Sequence, residues 1–151
     1  MRYKIEIGDW SGDGHGKSEV VIFESNIDYK DIIEAYRKAC KLSGVALHED
    51  EDTAKCTVLC SEYEQYYVPH DAFEKLQTIG INLMEFCNCD HTQPYDEDGE
   101  YPAYTNGFAQ LFLAMAKTQL PDFKYGIIGD DIITVNQTPG FRVFMGYGIF
   151  E

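Results

Sequence analysis

The sequence predicts an α+β fold, a mostly antiparallel sheet with about three helices packed on it, in a single domain over residues 1–151. Three observations carry this. Apolar residues alternate with polar ones near both ends of the chain, the pattern of strands with one buried face. Between those ends the apolar period changes to that of a helix. The length of 151 residues suits one domain, and no repeat or linker divides it.

Taken in order, Tyr3-Lys4-Ile5-Glu6-Ile7 alternates and predicts a first strand. A glycine- and aspartate-rich loop follows from Gly8 to Gly16, then the β-branched run Glu19-Val20-Val21-Ile22-Phe23 predicts a second strand. The two form an N-terminal antiparallel hairpin with a long connection. Tyr29, Ile32, Ile33, Tyr36 and Cys40 then lie on one face of a helix. Asn26 or Asp28 is its N-cap, and Gly44 is placed to end it in the left-handed conformation. The run His48-Glu49-Asp50-Glu51-Asp52 is a solvated loop, and Cys56 to Cys60 a short strand.

Glu62 to Tyr67 carries no clear period. Asp71-Ala72-Phe73-Glu74 has the form of a capping box and opens a short helix that runs to about Ile79 and stops at Gly80. Ile81 to Cys87 fits helix or strand. Residues 88–105 have no usable period, as expected of a long functional loop. Asn106 caps the next helix, whose stripe is Phe108, Leu111, Phe112 and Met115, with Pro121 beyond its end. The remainder predicts a C-terminal three-strand meander: Tyr125–Ile128, a turn at Gly129-Asp130-Asp131, Ile132–Val135, a turn at Thr138-Pro139-Gly140, and a final strand Phe141–Phe150. That last strand is apolar on both faces, so it is central or covered, closing the core or pairing across a two-fold axis.

Composition bounds the function. Twenty-six acidic and twelve basic residues give a formal net charge of −14, which argues against direct binding to nucleic acid or to an anionic membrane. No apolar run is long enough for a membrane-spanning helix. The first residues lack the apolar region of a signal peptide, and five cysteines form an odd set. Together these predict a cytoplasmic protein with reduced thiols, Cys40 buried as a small apolar residue.

Two stretches invite a metal. Asp9, Ser11, Asp13 and Gly14 match the first positions of a calcium loop, but Val20 stands where the bidentate acid belongs and the flanks predict strands, not helices. A non-helical calcium site would use Asp9, Asp13 and His15. Gly16-Lys17-Ser18 also resembles the end of a phosphate loop, but Ser11 replaces the first glycine and no helix follows to receive the anion. Cys87, Cys89 and His91, with Cys56 and Cys60, supply enough ligands for zinc, at a spacing unlike paired C-x2-C knuckles. Nucleophilic catalysis by Cys89 with His91 or His70 has no further support in the sequence. No cofactor is therefore expected, calcium and zinc being the candidates.

A stronger signal is joint. Eleven tyrosines are about twice average usage, and many stand among acids: Tyr63, Tyr66 and Tyr67 in one run, and Tyr95-Asp96-Glu97-Asp98-Gly99-Glu100-Tyr101 in another. Tyrosine buries a large rigid ring at small entropy cost and is enriched at interface hot spots. Carboxylates around it steer a basic partner and can imitate nucleic-acid phosphates. The sequence thus predicts a non-enzymatic acidic protein-interaction module, an inhibitor or nucleic-acid mimic that meets a basic nucleic-acid-binding protein. The contact residues would be Tyr63, Tyr66, Tyr67, Tyr95, Asp96, Glu97, Asp98, Glu100 and Tyr101. The alternatives are a metal-binding domain or metal-dependent hydrolase, using the Asp9–Gly16 loop or the Cys87–His91 cluster, and a small-molecule-binding domain with its pocket between helices and sheet.

Overall fold

The computed structural model describes residues 1–8, 18–46, 56–57, 60–62, 65–67, 70–86, 108–129, 137–144 and 148–150. The N-terminal hairpin forms as expected. Strand β1 (Arg2–Gly8) pairs antiparallel with β2 (Ser18–Ser25), Tyr3 opposite Phe23 and Ile5 opposite Val21. Alternation sends Tyr3, Ile5 and Ile7 to one face, where all three are buried. Helix α1 (Tyr29–Ser43) packs over that face. Of the two candidate caps, Asp28 caps the helix, its Oδ1 accepting from Lys30 N at 2.9 Å. Asn26 bonds elsewhere. Its Nδ2 donates to Asp122 O and its Oδ1 accepts from Lys124 N, both at 2.8 Å. It thereby ties the end of β2 to the chain entering the last part of the sheet. Gly44 ends α1 at φ 80°, donating to Cys40 O, a conformation that a β carbon would strain.

The middle of the chain is built from short pieces. β3 (Val45–Ala46) runs parallel to β4 (Cys56–Thr57), and β5 (Cys60–Glu62) pairs antiparallel with β6 (Gln65–Tyr67). The single strand expected over Cys56–Cys60 is thus divided, and the run from Glu62 to Tyr67 contributes to a small two-stranded sheet. Helix α2 (His70–Gln77) starts one residue before the expected cap Asp71 and ends ahead of Gly80. The ambiguous stretch after it contains one turn of 3₁₀ helix, Leu83–Glu85.

Helix α3 (Phe108–Lys117) contains the expected stripe and more. Besides Phe108, Leu111, Phe112 and Met115, it buries Ala109, Leu113 and Ala116. It buries this wider arc because it packs on α1 and also reaches β1 and β2. The expected cap Asn106 lies outside the described residues.

Three strands complete the main sheet: β7 (Tyr125–Gly129), β8 (Gly140–Phe144) and β9 (Gly148–Phe150), in the order β7-β2-β1-β8-β9. This corrects the expected meander. β7 pairs antiparallel with β2, and β8 pairs parallel with β1, so the N-terminal hairpin stands between them. The sheet is accordingly mixed, since a parallel pair forms only when a long connection brings the chain back in the same direction, as the helices do here. The expected final strand is divided too: β8 and β9 pair antiparallel. Ile132–Val135, the expected middle strand, lies outside the described residues. β8 is interior, as its apolar pattern requires, with Phe141 buried.

The core is aromatic. Phe23 lies against Tyr3, Tyr3 edge-on to Tyr29, Tyr29 stacked near Phe141, Phe141 beside Phe112, and Phe112 stacked on Tyr36 with ring centroids 4.1 Å apart. This one series links β2, β1, α1, β8 and α3, and offset or tilted contacts of this kind add to area burial. Cys40 is buried within the same core, as expected.

Candidate functional site

The sheet face turned away from the core carries the densest polar arrangement among the described residues. Lys4 and Glu6 alternate with Tyr3, Ile5 and Ile7 along β1, and the parallel register places Arg142 of β8 opposite Glu6. Lys4 Nζ lies 3.2 Å from Glu6 Oε1, and Arg142 Nε donates to Glu6 Oε2. Both carboxylate oxygens are therefore engaged, although Glu6 is only 9% exposed. Burial by itself pushes the Glu6 carboxyl up. The hydrogen bonds from Arg142 and Lys4, with their charges, outweigh burial and hold it below the ordinary carboxylate range. An acid–base catalyst needs a carboxyl poised near neutral pH, so this arrangement is a structural ion pair. Alternation in the sequence makes Lys4 and Glu6 visible as face-mates, whereas Arg142 joins them through a pairing that no local pattern reveals.

A sign follows for stability. A carboxyl whose folded-state pKa is depressed contributes stability above its unfolded pKa and loses it as pH falls through the folded one. Glu6→Gln is expected to cost about 1.5–3 kcal/mol at neutral pH, the range for hydrogen bonds to charged groups. The gap from wild type is expected to narrow as the solution is acidified below about pH 4.3, the usual unfolded value. Urea unfolding of both proteins from pH 7 to pH 3 measures this, and a gap constant with pH would refute it.

Two clefts open elsewhere. One, of about 420 Å³, lies between α1 and the turn after α3, with Ile27, Ala35 and Leu120 as apolar lining and Asp31, Glu34 and Lys38 among its polar residues. The other, of about 230 Å³, lies where the 3₁₀ turn meets the end of α3, beside Phe86, Lys117 and Tyr125. Lys117 there is committed, its Nζ donating to Phe123 O at 2.9 Å. Burial raises the Tyr125 phenol above its ordinary value, so it keeps its proton at neutral pH. Neither cleft pairs a nucleophile with a base. Among the described residues no three His, Cys, Asp or Glu side chains gather as metal ligands, and no helix is long and apolar enough to cross a membrane.

The residues singled out from the sequence fall almost wholly elsewhere. Asp9, Asp13, His15, Tyr63, Cys87, Cys89, His91, Tyr95, Asp96, Glu97, Asp98, Glu100 and Tyr101 lie outside the described residues. Tyr66 and Tyr67 stand on β6, paired with Ser61 and Cys60 of β5. In the sequence the acids gather in runs free of basic residues, Glu49-Asp50-Glu51-Asp52 and Asp96-Glu97-Asp98-Gly99-Glu100. Comparison with protein-family models, curated proteins and solved structures gave no match.

Proposed function

We propose that this protein is a non-enzymatic, acidic protein-interaction module whose partner is a basic, nucleic-acid-binding protein. The observation that supports this is in the sequence from Tyr95 to Tyr101, where four acids stand between two tyrosines in a chain of net charge −14. Acids interleaved with tyrosines, as from Tyr95 to Tyr101, combine electrostatic steering with rigid apolar contact area. In this reading the carboxylates stand in for phosphates, and the module inhibits its partner by occupying the nucleic-acid site.

The test is capture of partners from native lysate by the tagged full chain, at low and at high salt. The expected result is a basic partner whose retention falls steeply as salt rises and which duplex DNA or RNA displaces. Replacing Tyr95 and Tyr101 by alanine, or Asp96, Glu97, Asp98 and Glu100 by their amides, is expected to weaken binding by about ten-fold or more, the loss of one or two hot-spot contacts. A captured partner that is acidic, or held equally well at high salt, would overturn the proposal.

A further inference from the structure

The outer face of α1 changes character along its length. Its first half presents Lys30, Asp31 and Glu34, and its second half presents Arg37, Lys38 and Lys41, all exposed. Lys75 of α2 joins the second group, because its stem passes Gly44, with Cδ 3.9 Å from where a β carbon would stand. Four of the twelve basic residues thus meet at one end of the helix. None of the four makes an ion pair among the described residues, although Glu34 stands one turn before Lys38. One turn after Lys38, Leu42 is 59% exposed, among the most exposed large apolar side chains described.

Stability does not account for this group. Lys41 lies in the last turn, where a cation complements the helix dipole. Arg37, however, stands four residues before Lys41, and like charges at that spacing oppose each other. An exposed leucine gains little from burial. Cations beside an apolar side chain on a helix instead make a surface with a charged part and an apolar anchor.

We propose that the C-terminal half of α1, with Lys75, is a docking face for a short acidic peptide segment of a partner protein. Leu42 takes an apolar side chain of that segment, and Arg37, Lys38, Lys41 and Lys75 take its carboxylates. Charge complementarity selects an anion, and the charge of the whole chain selects a short one. Arg37 to Leu42 spans roughly 8 Å along the helix axis, at about 1.5 Å per residue. A long polyanion or an anionic membrane would also face the remainder of a molecule of net charge −14. A peptide of a few residues stays within about one Debye length of the four cations, where their field dominates. This face is opposite in sign to the acidic segments, so it stands or falls apart from the function proposed above.

The test is an NMR titration of the ¹⁵N-labelled full chain with a capped five-residue peptide, a leucine flanked on each side by two glutamates. Amide shifts are expected to move in residues 37–44 and around Lys75, with affinity falling about ten-fold between 50 mM and 300 mM salt as the pairs are screened. The double variant Lys38→Glu/Lys41→Glu is expected to abolish binding, Lys38→Gln/Lys41→Gln to weaken it, and Leu42→Ser to weaken it at every salt concentration. Lys124→Glu, beside Asn26 at the other end of α1, is expected to leave it unchanged. Unaltered circular dichroism separates these effects from unfolding, and the exposed positions make it the expected outcome. Shifts that map elsewhere, undiminished binding by the double variants, or tighter binding of a 20-base-pair DNA duplex or phosphatidylserine vesicles than of the peptide would each overturn the proposal.

Discussion

Gly140→Ala is expected to destabilise the protein by about 3 kcal/mol or more, at the upper end for overpacking a tight contact. Gly140 begins β8 opposite Lys4, and Lys4 N donates to Pro139 O at 2.9 Å, so the two backbones touch where the parallel pair starts. A β carbon on Gly140 would lie inside the contact distance of the Lys4 carbonyl oxygen, 2.6 Å from its carbon and 2.8 Å from Lys4 Cα. These are backbone atoms, held by β2 on the far side of β1, and no rotamer change relieves the overlap. The strands must separate, which loosens the pairing that presents Arg142 to Glu6 and Phe141 to the core. Gly126→Ala is the matched control, since a β carbon there meets nothing within 4 Å. It is expected to change stability by no more than about 0.5 kcal/mol, as exposed substitutions usually do. Urea unfolding of the two variants measures both, and a loss below about 1 kcal/mol at Gly140 would show that the strands do not approach this closely.

Phe112→Ala is expected to cost about 3–5 kcal/mol, the range for deleting a fully buried aromatic ring. Phe112 has no exposed surface and sits between Tyr36 of α1 and Phe141 of β8, with centroids 4.1 and 5.4 Å away. Its ring is the point where α3 meets both α1 and the sheet. Removing it leaves a cavity at that junction, and the surrounding rings, held in contact with Tyr29 and Tyr3, have little freedom to close it. Phe112→Leu retains much of the volume and is expected to cost less than half as much. The same urea measurements, with near-ultraviolet circular dichroism to follow the tyrosines, check this. A cost below about 1.5 kcal/mol for the alanine variant would mean that the core does not converge on this ring.

Local patterns carried the elements whose causes are local. Alternation over Tyr3–Ile7 marked β1 and its buried face, the stripe from Tyr29 to Cys40 marked α1, and Gly44 marked its end, because each reflects a periodicity or a backbone conformation that a few neighbouring residues impose. The same reasoning found the stripe of α3 but not the burial of Ala109, Leu113 and Ala116 beside it. It saw Asn26 and Asp28 as equivalent caps, and the difference is that Asn26 reaches across ninety-six residues to Asp122.

Pairing between distant strands was settled by the tertiary structure alone. A strand pattern states which residues are buried, not which strand lies beside them, and the expected C-terminal meander rested on adjacency in sequence. The fold places the β1–β2 hairpin between β7 and β8, and that placement creates the parallel pair, the need for glycine at 140, and the engagement of Glu6 by Arg142. The candidate sites divide in the same way. The acid- and tyrosine-rich runs are legible because charge and ring content are properties of composition. The cationic end of α1 is complete only when Lys75, thirty-four residues after Lys41, is brought beside Gly44. Composition and period are written into neighbouring residues, whereas register and the meeting of remote side chains depend on how the whole chain minimises its exposed apolar surface.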